Sequence, residues 1–188
     1  MPKILFFNPP SKKDIYLSTN VGVAAPSYPN LTLAILAGSL PCEYDAKIID
    51  LDLFTNFYTS LLTEIESFKP DVVATSAVTP QYPITKEITG MVKKKYPHIK
   101  TIIGGVHATT MTEEVNSDGC FDIIITGEGD IALSEALSSE SFQIDSRTIF
   151  PKKDLIKDLN TLPFPAWHLF DLTRYKNSRL LSRNNPVG

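Results

Sequence analysis

Small and hydroxylated residues follow several short apolar runs of the chain, and they are the residues best suited to hold a ligand. Glycine lets a ligand approach the backbone closely, while hydroxyl, amide, imidazole and carboxyl groups can hydrogen-bond to it. The sequence identifies no catalytic base or nucleophile, since no Ser, His and Asp triad and no carboxylate pair is recognisable. The pattern therefore predicts a binding site. Its candidate residues are Asn8, Pro9, Ser76, Val78, Thr79, Gly104, Gly105, Val106, His107, Gly127, Glu128 and Gly129.

The apolar runs alternate with longer segments of helical period, which is typical of a parallel sheet covered on both faces. We therefore predict an α/β fold of three layers, flavodoxin-like (Rossmann-like), with a five-stranded parallel sheet of order 2-1-3-4-5 and helices on both faces. Ligands of such sheets bind beyond the carboxyl ends of the strands, so the candidate residues should meet at that edge. The predicted strands are Ile4–Phe7, Ala46–Leu51, Asp71–Thr75, Thr101–Ile103 and Phe121–Ile125.

Two features of the elements can be read in more detail. Charged residues interrupt the second predicted strand, which places it at the edge of the sheet. A helix is predicted to begin near Asn30, another to begin near Thr112 and end at Gly119, and a last one to run from about Asp130 to Leu137.

The chain is predicted to have two parts. Residues 1–141 form the α/β domain, and the polar stretch that ends it is expected to be a linker. Residues 142–188 lose the helical period but stay apolar, with Phe164, Trp167 and Phe170 among them. Such a segment is expected to wrap its own domain, or to dock on a partner or a following domain.

Composition excludes several classes of protein. The 188 residues carry 18 basic and 21 acidic side chains, a formal net charge of −3, with no basic block of the kind that nucleic acid requires. Two cysteines far apart form neither a disulfide framework nor the ligand set of an iron–sulfur cluster. No apolar run approaches the ~20 residues that span a bilayer, and no signal peptide is recognisable. We therefore expect a cytoplasmic protein without a membrane span.

Several ligand motifs are absent. No G-x-G-x-x-G follows the first strand, and no G-x-x-x-x-G-K-S/T occurs, so a dinucleotide fold of the usual form and a P-loop are disfavoured. Ser76 stands where a phosphorelay receiver would carry an acidic residue.

The 21 residues from Pro9 to Pro29, with four prolines, form an unusually long connection, and connections of this length more often have a function than none. A flavodoxin-like flavin or nucleotide binder and a cofactor-free interaction module stay open as alternatives.

Five segments in order resemble one known family, the N-terminal cobalamin-binding domains of cobalamin-dependent radical S-adenosylmethionine (radical SAM) enzymes. The resemblance covers nearly the whole chain. It rests on Asn8-Pro9-Pro10, the helix entry Pro29-Asn30-Leu31 leading into Leu36-Ala37-Gly38-Ser39-Leu40, the turn Gly104-Gly105-Val106-His107-Ala108-Thr109, Gly127-Glu128-Gly129-Asp130 where the family tends to show G-E-G-E, and Leu162-Pro163-Phe164-Pro165-Ala166-Trp167.

The resemblance also implies how cobalamin is held. Histidine-ligating cobalamin modules carry D-x-H-x-x-G, then S-x-L, then a paired glycine. Ser76-Ala77-Val78 resembles S-x-L, and 25 residues separate Val78 from Gly104. By resemblance, Ser76 borders the channel of the nucleotide tail, and Gly104 and Gly105 let the tail pass against the backbone.

The histidine motif is absent, which by resemblance implies base-off, His-off cobalamin. The long connection after the first strand then becomes the candidate cover of the lower corrin face, with Tyr16 and Asn20 as positional candidates.

Two residues of the predicted site keep alternative roles. His107 would contact the corrin amides or the tail phosphate, cap a helix, or ligate cobalt. Glu128 would accept a hydrogen bond from a cofactor amide or sit in the positive first turn of a helix.

The resemblance implies a larger enzyme as well. The full protein would continue past Gly188 into a radical SAM barrel that carries a 4Fe-4S cluster and binds S-adenosylmethionine, and residues 142–188 would be the connector to that barrel. The two cysteines of this chain would then not be the ligands of the cluster. Substrate and reaction outcome are not readable from these residues.

Overall fold

Six parallel strands form one sheet within the part of the chain that the computed structural model describes, which is residues 1–10, 28–138, 147–151, 156 and 158–175. The sheet has the order β2-β1-β3-β4-β5-β6, and every neighbouring pair is parallel. The strands are β1 (Lys3–Asn8), β2 (Asp45–Asp50), β3 (Val72–Ser76), β4 (Lys100–Gly104), β5 (Ile123–Ile125) and β6 (Thr148–Phe150).

Helices cover both faces of this sheet. In the described part they are α1 (Leu31–Gly38), α2 (Phe57–Phe68), α3 (Tyr82–Lys95), α4 (Val106–Thr110), α5 (Thr112–Asp118) and α6 (Gly129–Ser138). Within that same part, no helix is long and apolar enough to cross a bilayer.

The apolar runs are strands because both of their faces are buried. In β1, Ile4 and Phe6 pack into one layer and Leu5 and Phe7 into the other, and all four are fully buried. The first layer includes residues of α1 and α6, and the second includes residues of α2 and α3. This two-sided burial explains why β1 shows a continuous apolar run instead of alternation.

The predicted helix ends agree with local chemistry. Asn30 is the N-cap of α1, where its side-chain oxygen accepts a hydrogen bond from the Leu33 N–H at 3.1 Å. Gly119 ends α5 in the left-handed conformation, with a φ of 74°.

The fold class, the strand order 2-1-3-4-5 and the edge position of β2 are confirmed, but the expected number of five strands is wrong. β6 adds a sixth strand beside β5, where the Thr148 N–H donates to the Asp122 carbonyl and the Thr126 N–H donates to the Phe150 carbonyl. β6 satisfies backbone groups that β5, which is buried, would otherwise leave unpaired.

Described residues that follow β6 pack on the domain. We call residues Phe164–Tyr175 the C-terminal strap. Ala166, Phe170 and Tyr175 of this strap are buried in the layer that contains α1 and α6. The division of the chain at residue 141 stays a prediction; β6 and the strap, which follow that residue, both pack on the α/β domain.

Candidate functional site

A cavity of about 210 Å³ opens at the carboxyl edge of the sheet, between the ends of β1, β3, β4 and β5 and the helices α1 and α6. We call it the carboxyl-edge cavity. Its walls are mainly apolar and also include hydroxyl and carboxyl side chains. The lining residues are Phe6, Thr32, Ile35, Leu36, Ala74, Thr75, Ser76, Ile102, Gly104, Gly105, Ile125, Gly127, Glu128, Gly129, Asp130 and Leu133.

The turn after β4 needs glycine at Gly105. Its φ of 94° and ψ of −174° lie in a region that is essentially restricted to glycine. A Cβ atom at Gly105 would lie 2.6 Å from the Ser76 Oγ and 2.9 Å from the Ala77 carbonyl oxygen. At Gly104 a Cβ atom would meet only ordinary contacts, the nearest at 3.7 Å. Gly105 therefore brings the ends of β3 and β4 together.

Thr109 joins the two glycine loops that border the cavity. Its hydroxyl donates to the Gly105 carbonyl at 2.9 Å and accepts from the Gly127 N–H at 2.9 Å. Gly127 has a φ of 77°, so this loop also uses a backbone conformation that glycine adopts at low cost. Sequence reasoning missed Thr109 as a site residue, although it lies in the Gly104–Thr109 turn.

Gln81 is a second residue that sequence reasoning missed. Its side-chain N–H donates to the Pro9 carbonyl at 3.2 Å, and its side-chain oxygen accepts from the Val78 N–H at 3.4 Å. Gln81 therefore connects the loop after β1 to the loop after β3. Nothing in the local sequence pattern pointed to this contact, which depends on the order of the strands.

His107 lies behind the glycine turn, outside the carboxyl-edge cavity. Its side chain is 3% exposed and its ring stacks on Tyr82 with the ring centroids 3.9 Å apart. Its Nδ1 lies 3.4 Å from the Thr79 Oγ1, while among the described residues its Nε2 has no hydrogen-bond partner and lies 4.0 Å from Glu114. Burial and the hydrogen bond to Asp118 raise the pKa of Tyr82.

Asn8 belongs to a buried polar network at the ends of β1 and β2. Its side-chain N–H donates to Asp50 at 2.8 Å, and its side-chain oxygen accepts from Asn30 at 2.8 Å. Asp50 also accepts from the Tyr175 hydroxyl at 2.8 Å. Burial raises the pKa of Asp50, and these hydrogen bonds oppose that rise. We call Asn8, Asn30, Asp50 and Tyr175 the buried polar network.

Four exposed apolar side chains stand at the carboxyl edge, each at or near the start of a helix or turn that follows a strand. They form what we call the apolar rim: Leu31 at 52% exposure, Val78 at 45%, Val106 at 60% and Ile131 at 48%. Their place at the carboxyl edge, where ligands of such sheets bind, makes them candidates for contact with a ligand.

The structure brings together six of the predicted site residues as cavity lining: Ser76, Gly104, Gly105, Gly127, Glu128 and Gly129. Val78 and Val106 belong to the apolar rim, and Thr79 lies against His107. Asn8 is held in the buried polar network, and Pro9 accepts from Gln81. Tyr16 and Asn20 lie outside the described residues. The roles proposed for all these residues stay predictions.

A second, more open depression lies away from this edge. It has a volume of about 520 Å³ and is bordered by the end of α1, the start of β2 and the C-terminal strap. Cys42, between α1 and β2, and His168 of the strap are among its lining residues. Cys42 is exposed, whereas Cys120 is partly buried. Burial and the nearby Asp118 raise the pKa of the Cys120 thiol.

The sheet order and the cavity define the class of the protein: a doubly wound α/β domain with a cavity at the carboxyl edge, the place where ligands of such sheets bind. The isolated REC domain of RcsB from Salmonella enterica serovar Typhimurium has this fold, with a TM-score of 0.51 over 79% of this chain and 93% of that one. The two sequences are 13% identical, so the likeness concerns the fold alone.

The family profile of the B12 binding domain matches residues 17–137, and the chain belongs to that family. The resemblance to cobalamin-binding domains is thereby confirmed.

Two curated relatives match almost the whole chain. An uncharacterized methyltransferase, PH0819, of Pyrococcus horikoshii is 26% identical over 93% of this chain. The anaerobic magnesium-protoporphyrin IX monomethyl ester cyclase of Rubrivivax gelatinosus is 26% identical over 92% of it. The chain spans 40% of the length of the first relative and 34% of the second.

Proposed function

We propose that this chain holds cobalamin at the carboxyl edge of the sheet, with the nucleotide tail in the carboxyl-edge cavity and the corrin ring over the apolar rim. The observation that carries the proposal is the glycine-lined cavity beside Ser76, in a chain of the B12 binding domain family. At about 210 Å³ the cavity is smaller than the ~300–1,000 Å³ of pockets that enclose a drug-sized ligand. It therefore suits one end of a large ligand whose remainder lies outside.

The residues present fit such a ligand. The close approach of Gly105 to Ser76 and Ala77 leaves no room for a side chain, and the turn keeps backbone beside the cavity. The rim residues Val78 and Val106 offer apolar contact to the flat ring system, while Glu128 and Asp130 at the cavity can accept hydrogen bonds from its amides.

We further propose that the cobalamin is base-off and His-off. The chain has three histidines, His98, His107 and His168, and all three lie in the described part. None of them lines the carboxyl-edge cavity: His98 stacks edge-on with Tyr96 after α3, His107 is buried against Tyr82, and His168 borders the second depression. The tail, if it occupies the cavity, is also removed from the cobalt.

The proposal extends to the whole protein. The chain spans 40% or less of its curated relatives, which are named as a methyltransferase and as a cyclase. We propose that the domain presents its corrin to a radical SAM barrel with a 4Fe-4S cluster and S-adenosylmethionine, and that residues 142–188 lead toward that barrel. Bound cobalamin would supply methyl transfer or related radical chemistry, while the residues of this chain position it and exclude a histidine ligand.

Titration of the 188-residue chain with hydroxocobalamin tests the proposal. We expect saturable binding at micromolar protein and, after reduction to cob(II)alamin, an electron paramagnetic resonance spectrum without splitting from an axial nitrogen. An absence of binding would overturn the cofactor assignment, and nitrogen splitting would overturn the axial assignment alone. In a parallel titration, the protein should leave the fluorescence of flavin mononucleotide unchanged. Quenching of the flavin fluorescence, together with an absence of cobalamin binding, would favour the flavin alternative.

A further inference from the structure

The C-terminal strap contacts α1 near the end of that helix. The Ala166 N–H donates to the Ala34 carbonyl at 2.8 Å. The Phe164 carbonyl oxygen occupies the space that a Cβ atom at Gly38 would need. Glycine at position 38 therefore allows the strap to lie directly on the backbone of α1.

The strap also reaches the beginning of α1, through the buried polar network. The Tyr175 hydroxyl donates to Asp50, Asp50 accepts from Asn8, and Asn8 accepts from Asn30, each at 2.8 Å. Asn30 caps α1 by accepting from the Leu33 N–H. Tyr175, Asp50 and Asn8 are 1%, 5% and 7% exposed, so the hydrogen bonds among these three residues are shielded from water, and the bond from Asn30 to Asn8 is partly buried. A hydrogen bond lost in such a network is costly, because its partner stays buried.

Helix α1 forms one wall of the carboxyl-edge cavity. Thr32, Ile35 and Leu36 line the cavity from this helix. Leu36 also packs close to Gly129, where a Cβ atom would lie 2.9 Å from the Leu36 Cδ2. A shift of α1 therefore changes the cavity on the side that faces the loop after β5. The strap holds this wall at both ends.

We propose that Tyr175 and Asp50 are positioning residues for the cavity: by fixing α1, they make docking of the C-terminal strap and binding of cobalamin favour each other. This inference rests on the proposed function. It assigns to residues far from the glycine turn an effect on the affinity for cobalamin. Linkage requires the effect to be reciprocal, so bound cobalamin should in turn hold the strap more firmly.

The test compares Tyr175→Phe with Tyr96→Phe in the 188-residue chain. The control removes a hydroxyl that donates to Glu66 at 2.9 Å on the exposed surface. Hydroxocobalamin affinity is measured well below the unfolding temperature, so that a loss of stability alone leaves it unchanged. We expect Tyr175→Phe to bind about tenfold more weakly and the control to bind as the wild type does.

Amide hydrogen exchange of residues 166–175 supplies the second readout. In the wild type, saturating hydroxocobalamin should slow this exchange at least about threefold, and Tyr175→Phe should lose most of that slowing. Should Tyr175→Phe fail to fold, Arg174→Gln serves instead, because Arg174 holds the strap from outside by donating to the Leu53 carbonyl and covering the Phe54 ring.

The outcomes separate the two proposals. If the wild type binds cobalamin, unchanged affinity in the strap variant together with cobalamin-independent exchange overturns the positioning role and leaves the proposed function standing. If the wild type binds no cobalamin, both proposals are wrong. Weaker binding together with lost protection of the strap supports the positioning role.

Discussion

The two edges of the sheet satisfy their backbone groups in different ways. At the amino edge, two side-chain carboxylates accept hydrogen bonds from backbone N–H groups near the start of a strand: Asp71 accepts from the Lys3 N–H at 2.7 Å, and Asp122 accepts from the Thr101 N–H at 2.8 Å. At the carboxyl edge, glycine turns and exposed apolar side chains surround a cavity. The amino edge thus satisfies these N–H groups with acceptors from the same chain, while the carboxyl edge leaves surface for a ligand. The difference predicts that substitutions at the amino edge change stability alone, whereas substitutions among the residues that line the cavity change binding, with or without a change in stability.

Gly105→Ala should have the largest effect, because it acts on the fold and the site together. The left-handed backbone and the contacts with Ser76 and Ala77 are expected to cost about 3 kcal/mol of unfolding free energy and to abolish cobalamin binding. Urea denaturation and hydroxocobalamin titration measure the two effects. Gly104→Ala is the matched control, with ordinary contacts only, and should stay near the wild-type stability. Equal stability of the two variants would contradict the described turn.

Ser76→Tyr should break binding with little change in stability. The larger side chain would fill the carboxyl-edge cavity that Ser76 lines, and the affinity for cobalamin should fall at least about a hundredfold. Equilibrium titration followed by absorbance measures it. Ser67→Tyr adds the same side chain on the exposed surface of α2 and should bind normally. Unchanged affinity in Ser76→Tyr would place the nucleotide tail elsewhere.

Asp122→Ala should lower stability without changing the affinity for cobalamin, the opposite of the result expected for Ser76→Tyr. Asp122 accepts from the Thr101 N–H and hydroxyl and pairs with Lys93. Loss of these charge-assisted bonds should lower the unfolding free energy by about 2 kcal/mol and leave the affinity for cobalamin unchanged. Chemical denaturation gives the first quantity. Asp122→Asn, which keeps an acceptor, should recover part of the loss; a fall in affinity in either variant would link the two edges.

Asp50→Asn should have the smallest effect, visible in the pH dependence of stability. Burial raises the pKa of folded Asp50 above its ordinary value of 3.8. The contribution of protonated Asp50 to the unfolding free energy is therefore fully present below pH 3.8 and is lost as the pH rises through the folded pKa. Relative to the wild type, the amide variant should become more stable as the pH rises from about 3.8 through the folded pKa of Asp50. Thermal unfolding at several pH values measures this difference, and a difference of the opposite sign would rule out the raised pKa.

The sequence predicted those strands and helices whose local residue pattern is sufficient to identify them. β1 is a continuous apolar run because both of its faces are buried, and α1 begins where Asn30 caps it. β6 was missed because it has three residues, too few to show a period, and depends on pairing with β5.

The site follows the same division. The glycines after β4 and β5 were identified from their positions after predicted strands, and they line the cavity. Gln81 and Tyr175 were missed because their partners Pro9 and Asp50 are distant in sequence and meet only in the folded chain. The buried position of His107 similarly follows from its stacking on Tyr82, which no local pattern shows.

The unequal exposure of the two thiols offers an experimental handle. Cys42 is exposed and borders the same depression as Phe164 and Leu169, whereas burial raises the pKa of Cys120 and lowers its reactivity. A fluorescent or spin-labelled maleimide should therefore attach first to Cys42, without any cysteine being added. Such a label would report the environment of the strap in real time as cobalamin is added.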